Sequence, residues 1–234
     1  MTNTRYDLLL CDADDTLFDF GRAEENAFAD ACARMGLEAT DALLKTYSDI
    51  NAALWRLLEQ GGITQAVLRV RRFEQFLEKI GRSDLDAQRM ATAFTDSLGR
   101  QSVPIDGAVE AVARWSRIVP VIIVTNGIAR VQHGRMDGSE VRHYIRGMVV
   151  SEEVGAAKPD PKMIEIGMEM AGVQNRSRVL MLGDSLSSDI AAAANAGVDA
   201  CWYNPKGKEN TKNLPVRYEI RSLDEVDAIL RGED

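Results

Sequence analysis

Apolar residues along this chain follow two rhythms, and the change between them divides it. Short continuous apolar runs stand at residues 8–11, 119–124, 147–150, 178–182 and 199–203, with a further one at 216–220. Runs of that length, bounded by polar residues, predict buried strands of a parallel sheet. Pro120 fits only because it stands at the start of its run. Between residues 20 and 100 such runs disappear, and apolar residues recur every three or four positions, as on a helix face. Four helices are predicted there. The first covers 23–35, after a connector at 18–21, and stops at Gly36. The second covers 41–60, with Leu44, Tyr47, Leu54, Trp55 and Leu58 on its apolar face, and ends at Gly61-Gly62. Thr64 caps a third over 65–80, closed by Gly81, and Ser83 caps a fourth that runs to about Leu98.

Past Gln101-Ser102-Val103-Pro104 the two rhythms alternate. Asp106 caps a helix that ends at Trp115, and further helices are expected at 128–138, 160–171, 188–196 and 223–230. Alternating strands and helices predict an α/β fold with a doubly wound parallel sheet. The helical block then interrupts that fold just after its first strand. The expected division is an α/β core domain of residues 1–19 and 101–234, with an all-helical domain of 20–100 inserted in it. An insertion at the C-terminal end of a strand is well placed to act as a lid.

The 234 residues suffice for one large domain or two small ones, and a content of 45% hydrophobic and 27% charged residues is ordinary for a globular protein. A net charge of −8 offers no basic footprint for nucleic acid or an anionic membrane. A site for an anionic ligand must therefore carry its own local positive charge. Cys11, Cys32 and Cys201 have no metal-site or pairing spacing, and Cys11 sits inside a predicted strand as a small apolar filler. No signal peptide or membrane span is expected, and a reduced cytoplasmic compartment fits. No interface signature stands out, so monomer and homodimer are both open.

Polar groups at the strand ends change the picture most. The first strand runs into Asp12, Asp14 and Asp15, three carboxylates in four residues. Two such groups about 4 Å apart repel by roughly 4 kcal/mol at an effective dielectric near 20, so the cluster favours a cation site. The second strand ends at Thr125-Asn126-Gly127, and a later one at Gly183-Asp184-Ser185, with Asp189 five residues after Asp184. Lys158 stands in a loop before Pro159. Taken singly, these are a turn, a helix-end charge and a surface lysine. Together they supply what phosphoryl transfer requires. Carboxylates can hold Mg²⁺, Thr125, Asn126 and Lys158 are donors for phosphoryl oxygens, and one carboxylate can attack phosphorus while another moves protons.

Asp12-Ala13-Asp14-Asp15-Thr16-Leu17, Thr125-Asn126-Gly127, Lys158-Pro159 and Asp184 through Asp189 resemble the four motifs of the haloacid dehalogenase superfamily. The resemblance covers nearly the whole chain. It implies a Rossmann-like core with strand order 5-4-1-2-3 and a helical cap. It implies Asp12 as nucleophile and Mg²⁺ ligand, and Asp14 as general acid/base whose carbonyl also meets the metal. Thr125, Asn126 and Lys158 would bind the phosphoryl group, Asp184 would ligate Mg²⁺, and Asp189 would orient the metal shell or its waters. Where the commonest first motif has Gly, this chain has Asp15. An acid there is similar to the intracellular pyrimidine 5′-nucleotidase branch, as are Asn51 to Trp55, Gly62-Ile63-Thr64 and Arg72-Phe73-Glu74. Ser185 to Ser188 departs from the usual Thr/Asn-rich filling.

The implied activity is a Mg²⁺-dependent phosphomonoesterase acting on a small phosphorylated metabolite, a nucleoside 5′-monophosphate above others. Trp55 is a residue that can stack on a base, and Arg69, Arg71 or Arg72 can offset substrate charge. His133 and His143 lack metal spacing and belong on the surface. Other readings stay open at this point. They are a sugar-phosphate or phosphoglycolate phosphatase, a phosphosugar mutase, a 2-haloacid dehalogenase and a non-catalytic phosphate-binding scaffold.

Overall fold

Among the described residues six strands form one parallel sheet, in which the first strand in the chain lies between the second and the fourth. In this computed structural model, which describes residues 4–233, they are β1 (Leu8–Cys11), β2 (Val121–Thr125), β3 (Gly147–Val150), β4 (Val179–Gly183), β5 (Asp199–Tyr203) and β6 (Tyr218–Ile220). Across the sheet they run β3-β2-β1-β4-β5-β6, so the expected order 5-4-1-2-3 is contained whole, and β6 extends it at the β5 edge. Residues 1 and 234, the outer limits of the expected core domain, lie outside the described residues.

Both faces of the sheet are covered. Leu9, Cys11, Val121, Ile123, Leu180 and Leu182 point into one cluster. It is closed by α5 (Ala108–Trp115) and α10 (Val226–Arg231). Leu8, Leu10, Ile122, Val124, Val179 and Met181 alternate with them into a second cluster. It is closed by α8 (Lys162–Ala171) and α9 (Ala191–Ala196). This alternation explains why the strands read as continuous apolar runs: a residue facing either way meets core. All four residues of β1 are fully buried, and each buried leucine contributes about 1.5–3 kcal/mol. Cys11, Cys32 and Cys201 are buried and free.

The helical block consists of α1 (Phe20–Arg34), α2 (Asp41–Glu59), α3 (Gln65–Lys79) and α4 (Ala87–Leu98). It has an aromatic centre. Phe28 stacks on Tyr47 at 5.1 Å and Tyr47 on Phe73 at 5.2 Å, with Phe76 and Phe94 around them. The same cluster takes in Ile128 and Val131, which begin α6 (Ala129–Asp137), so the block packs on the sheet-bearing half through that helix. Arg72, expected on a solvated face or against substrate, is instead 2% exposed. Its guanidinium lies 4.6 Å from the Phe94 centroid and donates to Asn51.

Several helix starts differ from expectation. Helix α1 begins at Phe20 rather than 23, because the Asp19 side chain accepts from Arg22 N–H. Asp86, not Ser83, caps α4. Gly107, in left-handed conformation (φ 78°), precedes α5, so Asp106 makes no cap. The one-turn α7 (Ser151–Val154) was not expected. Residues 186–190 form a π-turn before α9, where a regular helix from 188 was expected.

Two linkers join the halves and pair with each other. Asp19 N–H donates to the Val103 carbonyl (2.9 Å), and Ile105 N–H donates to that of Leu17 (2.8 Å). Among the described residues no helix is long and apolar enough to cross a membrane.

Candidate active site

The C-terminal ends of β1, β2 and β4 converge on one cavity of about 260 Å³. Asp12, Asp14, Asp15, Thr125, Asn126, Lys158, Asp184 and Asp189 all line it, joined from the helical block by Phe20 and Trp55. Every residue singled out at the strand ends therefore meets in one place, although Asp12 and Asp189 are 177 positions apart. Sheet order accounts for this: β1 lies between β2 and β4, so their loops flank the one that carries Asp12. A second cavity of about 530 Å³ adjoins and shares Asp15, Phe20 and Asp184.

Lys158 is the centre of the charge arrangement. Its side chain is 1% exposed, and its ammonium donates to Asp12 Oδ1, to Asp189 Oδ1 (2.7 Å) and to the Val124 carbonyl (2.7 Å). All three N–H bonds are thus used within the protein. Burial lowers the proton affinity of Lys158, but Asp12 and Asp189 outweigh it and raise the pKa above the ordinary lysine value. Asn126 fixes this lysine's backbone from both sides: its amide donates to the Lys158 carbonyl (2.8 Å) and its Oδ1 accepts from Lys158 N–H (2.7 Å).

The carboxylates divide into engaged and free. Asp189 has both oxygens occupied, one by Lys158 and one by Ser185 N–H (3.0 Å). Gly183 makes room for it: a Cβ there would lie 2.2 Å from Asp189 Oδ2. Asp12 gives Oδ1 to Lys158, while Oδ2 has only a long contact to the Thr16 hydroxyl (3.5 Å). Burial pushes the Asp12 carboxyl well above the usual range, against the pull of Lys158. Asp184 is freest, with Lys208 at 3.9 Å, and burial together with Asp189 and Asp15 pushes its pKa up to about 7. The indole N–H of Trp202 holds its carbonyl at 2.8 Å.

One oxygen each from Asp12, Asp184 and Asp189 lies within 4.8 Å of the others. With all three carboxylates ionised, they and Lys158 sum to a formal charge of −2. A divalent cation balances that charge, and an all-oxygen donor set suits Mg²⁺. The residues present fit the metal. Thr125 adds a donor: its hydroxyl is buried without a partner among the described residues, although the residue lines the cavity. Such a group is rarely left unpaired without a ligand to meet it.

Asp15 has a backbone φ of 59°. That region favours glycine and tolerates Asp, which explains on backbone grounds why glycine is common at this position in similar motifs. Its carboxylate accepts from Phe20 N–H at 3.2 Å. Asp14 is bound by two side chains that the sequence reading missed, Arg135 and Gln132. Arg69, Arg71 and Arg72 do not line the cavity. Arg69 pairs with Glu152, and Gln65 reaches the Ser151 hydroxyl (2.7 Å) from the same helix. His133 is exposed beside Glu153 (2.8 Å), and His143 is exposed.

With the geometry in hand, comparison with known proteins gives a consistent result. A family model described as haloacid dehalogenase-like hydrolase matches residues 6–197. The chain belongs to that family. Pyrimidine 5′-nucleotidase YjjG from Escherichia coli (strain K12) is 32% identical over 228 residues, spanning 97% of this chain and 98% of its own. Pyrimidine 5′-nucleotidase PynA from Streptococcus pneumoniae is 33% identical over 94% of this chain and 93% of its own. The crystal structure of the HAD-hydrolase YfnB from Bacillus subtilis, bound to magnesium and revealing interdomain movement, superposes with a TM-score of 0.90. It is 32% identical and covers 97% of this chain and 99% of its own. This member of the family is a hydrolase, and YjjG and PynA are named as pyrimidine 5′-nucleotidases.

Proposed function

We propose that this hydrolase is a Mg²⁺-dependent phosphomonoesterase acting on nucleoside 5′-monophosphates, with pyrimidine nucleotides first among them. The observation that carries the reading is Asp12. It is a carboxylate at the end of the central strand, tied at one oxygen to a buried ammonium, and it lines a cavity that Thr125, whose buried hydroxyl is without a partner among the described residues, also lines. The two full-length relatives named as pyrimidine 5′-nucleotidases support the substrate class.

In this reading Asp12 attacks phosphorus in line with the ester oxygen. The P–O bond to the nucleoside breaks, an aspartyl-phosphate forms on Asp12, and Asp14 gives its proton to the departing alkoxide. Asp14 then takes a proton from water, which attacks phosphorus, releases phosphate and regenerates the Asp12 carboxylate. Lys158 holds Asp12 in place and offsets its charge, Asn126 acts by fixing the Lys158 backbone, and the Thr125 hydroxyl meets a phosphoryl oxygen. Mg²⁺, held by Asp12 and Asp184 with the Asp14 carbonyl, would neutralise charge on those oxygens. Asp189, with both carboxylate oxygens engaged, acts through Lys158 and the 184–185 turn. Trp55 faces the base.

We assign residues 1–19 and 101–234 to the core and 20–100 to a cap that closes over the site. The aromatic cluster of the helical block and the contacts of Gln65 and Arg69 with Ser151 and Glu152 support that division. We place the enzyme in the cytoplasm, where its three thiols stay reduced. Asp14 argues against haloacid hydrolysis, which has no leaving alkoxide to protonate.

The test is phosphate release from UMP, dUMP, dTMP, AMP, GMP, glucose phosphates and phosphoglycolate, each with Mg²⁺ and with EDTA. Metal-dependent release that favours the pyrimidine nucleotides is expected, and Asp12→Asn abolishes it with the fold intact. Sugar-selective release refutes the nucleotide assignment, and undiminished turnover in Asp12→Asn refutes the mechanism.

A further inference from the structure

Asp14 does not stand free in the cavity. Its Oδ1 accepts from Arg135 Nη1, and its Oδ2 accepts from Gln132 Nε2 at 2.9 Å. Both donors sit three residues apart on α6, one face of a helix with no other part in the site. Arg135 is 1% exposed and Gln132 5%. A fully buried guanidinium carries a large desolvation cost unless hydrogen-bonded and charged partners offset it, and among the described residues Arg135 Nη2 has no partner.

The rest of Arg135 is committed to the two linkers. Its Nε donates to the Gln101 carbonyl (3.1 Å), and its own carbonyl accepts from the Ser102 hydroxyl (2.6 Å). Its guanidinium lies 5.2 Å from the ring centroid of Phe18 and 5.9 Å from that of Phe20, on the other linker and the start of α1. Helix α6 is pressed against the second linker so closely that a Cβ on Gly134 would come within 2.5 Å of the Gly99 carbonyl oxygen. One side chain thus touches both linkers and a carboxylate in the cavity.

We propose that Arg135, assisted by Gln132, is a positioning residue that aims the Asp14 carboxyl and ties its orientation to the linkers of the helical block. The inference rests on the reading of Asp14 as the acid that protonates the leaving group. Movement of the linkers shifts the Gln101 carbonyl and the Phe18 and Phe20 rings, and the guanidinium carries that shift to Asp14. Proton delivery is thereby matched to the position of the block.

The test compares kcat/KM for UMP, whose alkoxide needs a proton to depart, with p-nitrophenyl phosphate, whose phenolate departs without one. General acid catalysis contributes about 10²–10⁴-fold. Arg135→Met is expected to lose about 30-fold or more on UMP and less than about threefold on p-nitrophenyl phosphate, with Arg135→Lys recovering part of the loss. Gln132→Leu keeps the ion pair and should show a smaller split of the same sign, which serves if Arg135→Met does not fold. Adding Arg135→Met to Asp14→Asn should cost little more than Asp14→Asn alone, because the arginine acts through that carboxyl. Equal losses on both esters, or additive losses in the double variant, overturn the proposal. If Asp14→Asn itself shows no split between the esters, the acid role of Asp14 fails first.

Discussion

Replacing Asp184 by Asn separates the metal site from the fold by a simple proton count. Burial, then Asp189 and Asp15, push this carboxyl from an ordinary 3.8 up to about 7, against the weaker pull of Lys208 and Lys158. Its side chain is only 21% exposed, so solvent screens little of this. Without metal, the folded protein holds a proton between these two values that the unfolded chain has already released. Stability from this group is therefore full below about pH 4 and is lost as pH rises through about 7. Each pH unit in that window is worth about 1.4 kcal/mol, so about 3 kcal/mol should disappear between pH 5 and pH 8. Asparagine carries no such proton. In EDTA, the stability of the native protein relative to Asp184→Asn should fall by that amount across the window, read by urea unfolding of both. Millimolar Mg²⁺ at pH 8 should restore the native protein and leave the variant unmoved, since binding to the folded state alone stabilises it. A change below about 1 kcal/mol from pH 5 to 8 would falsify the assignment of a strained, metal-seeking carboxyl.

Other substitutions test the neighbouring contacts. Lys158→Met leaves Asp12 and Asp189 without their shared ammonium; a loss of about 3–5 kcal/mol in urea unfolding is expected, with turnover down at least about 100-fold, and near-native stability would contradict the buried trio. Gly183→Ala sets a methyl 2.2 Å from Asp189 Oδ2; it should cost about 1–3 kcal/mol and weaken stabilisation by Mg²⁺, whereas an unchanged Tm would mean that Asp189 moves freely. Trp55→Ala should raise the KM for UMP by about 5- to 150-fold if the indole stacks on the base, with kcat nearly constant; an unchanged KM removes Trp55 from the substrate contact.

The sheet and the site were legible in the sequence for a shared reason. A strand buried on both faces must be apolar throughout, so β1 announces its own bounds, and the buried residues of β3 and β5 mark theirs. Polar groups at their ends then have little role other than chemistry, which is why Asp12, Thr125 and Asp184 could be picked out and do meet. Cap positions were less legible. Asp19 and Asp86 have competitors within a few residues that can also accept from an N–H, and tertiary packing chooses among them. Glycine at 107 with a positive φ displaced Asp106 in the same way. Arg72, Gln132 and Arg135 were misplaced or missed because charged and amide groups on a helix ordinarily face water. Only contacts with Phe94 and Asn51 in one case, and with Asp14 more than a hundred residues away in the other, show them turned inward. Inward polar residues at spacing i, i+3 just after a chemistry-bearing turn were the available signal.

The central position of β1 has a consequence for how the chain is made. It is the first of the six strands to be synthesised, yet its neighbours β2 and β4 begin only at Val121 and Val179. At synthesis rates of about 5–20 residues per second, Leu8 to Cys11 wait roughly ten seconds for one edge to be covered and longer for the other. During that interval the helical block, whose contacts lie mostly within residues 20–98, can form around its aromatic centre. The nascent protein therefore carries a folded helical unit behind an exposed apolar segment.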